Sequence, residues 1–166
     1  VIMAGGIGSR FWPMSTPQYP KQFVDVMGCG RTLIQLTYDR FKHVVSAQNV
    51  WVVTSANYAE VVREQLPEIQ KNHILLEPCR RNTAPCIAYA SWRIKTFDPK
   101  ANIVVTPSDA IVMDTAEYQR VIKSCLKFVS ESDAMVTIGM KPNRPETGYG
   151  YIQADLSYST ARNKEI

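Results

Sequence analysis

At 166 residues and 45% hydrophobic content, the chain is long enough for one domain with a sizeable core. A formal net charge of +4, with Lys and Arg scattered along the sequence, points to a small phosphorylated partner and away from a nucleic-acid surface. No apolar run reaches the roughly 18 residues of a membrane span, no leader precedes the first glycines, and the four cysteines lack CxxC or zinc-finger spacing, so a cytoplasmic protein with reduced, structural thiols is expected.

Residues 1–3 read as an apolar strand that runs into Gly5, Gly6 and Gly8. Glycines at a strand end let backbone N–H groups converge on an anion, with Arg10 and Lys21 adding full positive charge. That is the chemistry of a polyphosphate grip. A dinucleotide fingerprint read from Gly6 would need glycine where Phe11 stands, and a P-loop would need Gly-Lys-Ser/Thr where Gly8, Ser9 and Arg10 stand. On the glycines alone, a tight turn without a ligand is the competing reading.

Further along, apolar spacing predicts a helix through Leu33, Leu36, Phe41, Val44 and Val45, then a buried strand over residues 49–54 and a second helix over 58–66. A short strand over 73–76 precedes a helix over 83–97, where Pro85 is tolerated in the first turn. Residues 102–106 and 134–139 are further β-branched runs. Between them, Asp114 and Glu117 bracket the start of a fourth helix carrying Val121, Ile122, Leu126 and Val129. Alternation of this kind implies an α/β, Rossmann-like fold with a mostly parallel central sheet flanked by helices. Ligands then bind beyond the carboxyl ends of the strands, so the glycine loop, Glu77-Pro78 and Pro107-Ser108-Asp109 should line one crevice. Residues 157–166 form a polar tail or return segment.

Several side chains allow two readings. Asp109 ends a buried strand, where a carboxylate holds a divalent cation or caps a turn. Arg81, Asn82 and Thr83 offer the mixed donors and acceptors that a purine base requires, although Asn82 and Thr83 also suit helix capping, and Glu77 is a further candidate. The small and aromatic alternation from Thr147 to Tyr151 suits close approach to a sugar, or a turn into a strand. His43 and His73 have no triad-like context and read as structural or surface residues.

Residues 4–15 (AGGIGSRFWPMS) with 19–23 (YPKQF) resemble the signature of sugar-1-phosphate nucleotidylyltransferases, and more narrowly of the mannose-1-phosphate guanylyltransferase branch. Residues 77–85 (EPCRRNTAP), 107–109 (PSD) and 146–152 (ETGYGYI) agree, in the family's order and across nearly the whole chain. The resemblance implies transfer of GMP from GTP to α-D-mannose 1-phosphate, giving GDP-mannose and pyrophosphate with Mg²⁺ as cofactor. It gives Lys21 the central phosphate role beside Arg10, makes Asp109 a metal ligand, and places Ala4, Gly5, Gly6, Gly8, Ser9, Glu77, Arg81, Asn82 and Thr83 around the nucleotide. Gly148 and Tyr149 would lie near the hexose.

Two positions depart from the family pattern. Ala110 stands where His usually follows the Asp, and Thr16 stands where many members carry Arg. By the same resemblance, residues 1–166 form a nucleotidyltransferase domain incomplete on its C-terminal side. A different hexose-1-phosphate nucleotidylyltransferase and a non-catalytic nucleotide-sugar-binding subunit are the alternatives. No nucleic-acid or membrane partner is expected, and a homo-oligomer is allowed for.

Overall fold

The computed structural model describes residues 1–6, 11–155 and 157. Its sheet consists of β1 (Ile2–Met3), β2 (Val52–Ser55), β3 (Ile74–Glu77) and β4 (Thr106–Pro107), all parallel and ordered β3-β2-β1-β4. Ile2 sits between Val52 and Thr106, and Val52 pairs in turn with Ile74. The helices are α1 (Leu33–Phe41), α2 (Ala59–Gln65), α3 (Thr83–Lys95) and α4 (Thr115–Ser130).

The period-2 pleat explains why the strands read as continuous apolar runs instead of alternating ones. Ile2, Val52 and Ile74 face one cluster with Phe23, Ile34 and Tyr38 near α1 and with Val62 of α2. Val53 and Leu75 face the opposite cluster with Cys86, Ala90 and Ile94 of α3. Both faces are therefore covered. The chain order accounts for which helix covers which face: β1, β2 and β3 step outward in one direction, whereas β3 to β4 steps back across the sheet. With the crossover hand preserved, reversal of direction moves the connecting helix to the other face, and α3 lies there.

Local chemistry sets the helix ends. The Thr32 amide donates to Gln35 Oε1 at 3.0 Å at the start of α1, and Asp114 Oδ1 accepts the Glu117 amide at 2.9 Å at the start of α4. The fourth helix packs beside α1, with Phe41 and Tyr118 edge to face at 6.0 Å. Pro85 falls in the first turn of α3, where no intrahelical N–H bond is lost.

Two strand expectations need correction. In residues 102–106 only Thr106 enters a strand, which extends to Pro107, although the Val1 nitrogen donates to the Val104 carbonyl at 2.7 Å and the Thr106 amide to the Val1 carbonyl at 3.0 Å. This segment is at the sheet edge and has a ladder partner on one side. Residues 134–139 form no strand. They run without regular structure, with Met135 fully exposed, because β-branched composition makes a strand only where a neighbour supplies the ladder. The expected strands at 49–54 and 73–76 are present but start later, each after a 3₁₀ turn.

All four cysteines are free, with Cys86 and Cys125 buried and Cys29 and Cys79 exposed. Among the described residues, no helix is long and apolar enough to cross a membrane.

Candidate functional site

The order β3-β2-β1-β4 has its switch point between β1 and β4, where consecutive connections leave in opposite directions. A crevice opens there beyond the carboxyl ends of the strands. Ala4, Gly5 and Gly6 follow β1 on one side of it, and Ser108 and Asp109 follow β4 on the other.

Lys21 reaches this crevice on a 3₁₀ turn, Lys21–Phe23, whose three residues take different environments. Phe23 is fully buried and anchors the turn in the core. Gln22, also buried, donates from Nε2 to the carbonyls of Ala4 at 3.1 Å and Gly6 at 2.8 Å, tying the turn to the glycine loop. Lys21 then points outward, with Nζ 3.5 Å from Asp109 Oδ2 and 4.8 Å from the Phe11 ring centroid. A cation and a carboxylate thus meet at the mouth of the switch point, both accessible to an incoming ligand.

Ala4 is held from a second direction, because Thr54 Oγ1 of β2 donates to the same carbonyl at 3.0 Å. Two donors on one carbonyl use both of its lone pairs and fix where the glycine loop begins. Sequence reasoning gave neither Gln22 nor Thr54 a role. For Gln22, the available signal was an amide between a charged residue and a buried aromatic one.

On the other flank, Glu77 ends β3 and its carboxylate lies against Gly5, which brings the β3 end to the glycine loop. The Cys86 thiol lies on the first turns of α3 within the field of that carboxylate; burial first and the Glu77 charge second push its pKa up to about 11. Asn82 precedes α3 at φ 67, a left-handed backbone position unusual for a non-glycine residue, and its side chain makes no cap bond. The first N–H groups of α3 therefore have no side-chain acceptor at Asn82. Asn82, Thr83 and Arg81 are all exposed beside them. Arg80, unassigned from the sequence, stacks its guanidinium 5.4 Å from the Tyr58 ring, with Nη2 3.4 Å from Ser55 Oγ at the end of β2.

The crevice thus gathers Ala4, Gly5, Gly6, Lys21, Glu77 and Asp109. Gly8, Ser9 and Arg10 lie outside the described residues. Gly148 and Tyr149 are not drawn in: Tyr149 is largely exposed, and the described hydrogen bonds of residues 141–155 are local, such as the Gly148 amide to Glu146 Oε1 at 3.2 Å. Thr16 closes a tight turn, its amide and carbonyl paired with those of Tyr19 and its hydroxyl accepting the Tyr19 amide at 3.0 Å. A cavity of about 570 Å³ lies at the opposite, amino end of the strands, lined by Trp51, His73 and Phe97 among others, away from these groups.

Among the described residues there is no group of three or more metal-ligating side chains. The single half-exposed carboxylate of Asp109 does fit a divalent ion that is carried largely on phosphate oxygens and keeps some of its waters.

A parallel sheet with glycines after β1 and a Lys–Asp pair across its switch point is the architecture of α/β proteins that bind ligands beyond the carboxyl ends of their strands. The nucleotidyl transferase family model matches residues 1–165, and the chain belongs to that family. It is 38% identical over 165 residues to a mannose-1-phosphate guanylyltransferase from Salmonella montevideo, covering 98% of this chain and 34% of that protein. A Klebsiella pneumoniae protein of the same name is 39% identical over 159 residues, covering 95% of this chain and 33% of its own length. The chain spans about one third of the length of the curated relatives it matches. A Thermus thermophilus crystal structure described as a mannose-1-phosphate geranyltransferase superposes with TM-score 0.67 at 28% identity, over 76% of this chain and 36% of that one. A Helicobacter pylori structure described as mannose-6-phosphate isomerase shares the fold, with TM-score 0.58 at 23% identity, over 78% of this chain and 45% of that one.

Proposed function

We propose that the chain carries the nucleotide-binding part of a mannose-1-phosphate guanylyltransferase, which moves GMP from GTP to α-D-mannose 1-phosphate and releases pyrophosphate. The observation that carries this reading is the Lys21–Asp109 approach at the switch point, in a chain of the nucleotidyl transferase family whose relatives bear that name.

The reaction forms a bond from a sugar-phosphate oxygen to the α-phosphorus of GTP and breaks the bond from that phosphorus to the bridging oxygen of pyrophosphate. The attacking phosphate is already anionic, so no general base is required, and the crevice offers no histidine among its described residues. What the chain must supply is alignment and charge. Lys21, with Arg10, neutralises charge building on the α-phosphate and the leaving pyrophosphate. Glu77, Arg81, Asn82 and Thr83 read the guanine, with Ala4, Gly5 and Gly6 giving the base a close approach to backbone. Gly148 and Tyr149 would approach the hexose only if residues 141–155 fold over the crevice. Asp109 would hold Mg²⁺, which when bound screens the triphosphate oxygens from one another. Gly8 and Ser9 are assigned to the phosphates on the family resemblance. With four free thiols and a nucleoside triphosphate substrate, the cytoplasm is the compartment this chemistry suits.

The test is pyrophosphate release by the full-length protein with α-D-mannose 1-phosphate and each of GTP, ATP, UTP and dTTP. GTP should be preferred by at least about tenfold in kcat/KM, the worth of one or two base-specific hydrogen bonds. A preference for another triphosphate would assign the chain to a different hexose-1-phosphate nucleotidylyltransferase. GTP binding without pyrophosphate release would favour the non-catalytic alternative.

A further inference from the structure

Beneath the loop that carries Asp109 lies a buried guanidinium for which the proposed chemistry has no use. Arg40, near the end of α1, is only 5% exposed and pairs with no carboxylate among the described residues. Among the described residues its Nε has no hydrogen-bond partner. Its Cζ lies 5.8 Å from the Tyr118 ring, and Gln119 of α4 donates to its carbonyl at 2.9 Å. Burial pulls the guanidinium below its ordinary value. An uncompensated buried cation is costly, and an apolar side chain would serve α1 packing at lower cost.

The bonds Arg40 does make lead to the site. Arg40 Nη2 donates to Thr37 Oγ1 at 2.9 Å, and Thr37 Oγ1 lies 3.3 Å from the Ser108 carbonyl. The direction of this chain is forced. A guanidinium accepts nothing and a carbonyl donates nothing, so the Thr37 hydroxyl accepts from Arg40 and spends its one proton on Ser108. Accepting from a cation polarises that O–H and strengthens the bond it donates. Ser108 is also held from the other side, because its amide donates to the Met3 carbonyl of β1 at 3.1 Å. The residue before Asp109 is thus pinned through both of its backbone polar groups. The start of α1 is tied to the Lys21 turn as well, with the Leu33 amide directed at the Val24 carbonyl at 3.3 Å.

We infer that Arg40 and Thr37 are positioning residues that clamp the Ser108 carbonyl, so that α1 fixes the placement of Asp109 relative to Lys21. The consequence for metal affinity rests on the reading of Asp109 as the carboxylate that holds a divalent ion. The clamp itself does not.

The experiment uses the full-length protein and its Thr37→Val, Arg40→Lys and Asp109→Asn variants, with two readouts taken well below the melting temperature. Backbone amide exchange without ligand reports the loop, and Mn²⁺ titration by electron paramagnetic resonance in the presence of GTP reports the metal. Thr37→Val should speed exchange at the amides of residues 108–110 and weaken Mn²⁺ roughly tenfold, the usual scale for removing an outer-shell hydrogen bond. Arg40→Lys should fall between parent and Thr37→Val, since it keeps the charge and loses the fork, and it serves as the test if Thr37→Val does not fold. In an Asp109→Asn background, Thr37→Val should cost no further Mn²⁺ affinity. A lowered melting temperature with unchanged exchange and unchanged Mn²⁺ midpoint would overturn the inference. Faster local exchange, with Asp109→Asn titrating Mn²⁺ like the parent, would uphold the clamp and refute the metal reading alone.

Discussion

Glu77 Oε2 lies 2.8 Å from where a Cβ on Gly5 would stand, so the carboxylate at the end of β3 and the first glycine after β1 occupy adjoining space with no room for a methyl group. The obstacle is the tip of a flexible side chain, which moves at little cost. Gly5→Ala should therefore leave stability within about 1 kcal/mol of the parent, the range of a glycine-to-alanine change at an unstrained position. It should push the Glu77 carboxylate out of its place beside the loop. On the proposed reading, KM for GTP rises about tenfold while kcat changes little, because base recognition suffers more than chemistry. Steady-state kinetics with GTP as the varied substrate checks this. A kcat loss at constant KM would mean that Gly5 serves the phosphates instead.

Lys21 and Asp109 make a partly exposed ion pair at 3.5 Å, and such pairs contribute only about 0–1 kcal/mol to stability. Lys21→Ala should thus shift the unfolding midpoint little. Turnover should fall about a hundredfold or more if the ammonium neutralises transition-state charge. A folded variant with turnover near the parent's would remove Lys21 from the chemistry.

How much of this was legible in the sequence depended on where the determining partner lay. The alternation of apolar runs and helical spacing carries the parallel fold, because both faces of the sheet are covered and each strand must be apolar throughout. Strand 134–139 was misread because its composition suits a ladder that no described neighbour provides. In the site, the charged residues of the quoted blocks were visible as residues. The hydrogen bonds that place them were not. Gln22 reaches back 16 and 18 positions to the glycine loop, and Thr37 reaches forward 71 to Ser108, separations that no local pattern encodes.

The sequence leaves His73 as a structural or surface residue; the fold buries it, and its setting yields a pH prediction. It is buried and stacked on Trp51, with ring centroids 3.8 Å apart, and burial holds its pKa below the ordinary 6.5. A group with a depressed folded value contributes stability that is present above the unfolded pKa and lost as pH falls through the folded one. The protein should therefore be less resistant to urea at pH 5.5 than at pH 7.5. His73→Phe keeps the stack and removes the titration, so it should reduce this difference. Trp51 fluorescence reads the transition, and equal pH dependence in parent and variant would show that His73 does not set it.

Cys86 gives the opposite sign at the alkaline end. Burial first, and the Glu77 carboxylate second, raise its thiol from 9.0 to about 11, so the folded state favours the protonated form. The associated stability is present in full below pH 9 and is lost as the pH rises through 11. The same shift makes the thiol a poor nucleophile, because thiolate is the reactive species. At pH 8, iodoacetamide should therefore modify the exposed Cys29 and Cys79 well before Cys86, as followed by peptide mass spectrometry. Gly5→Ala couples this prediction to the first one. Displacing Glu77 changes the negative charge felt by the thiol, so Cys86 should label at a different rate in that variant than in the parent. Equal labelling of Cys86 in the two proteins would show that burial alone governs the thiol, and that the Glu77 charge has no hold on it.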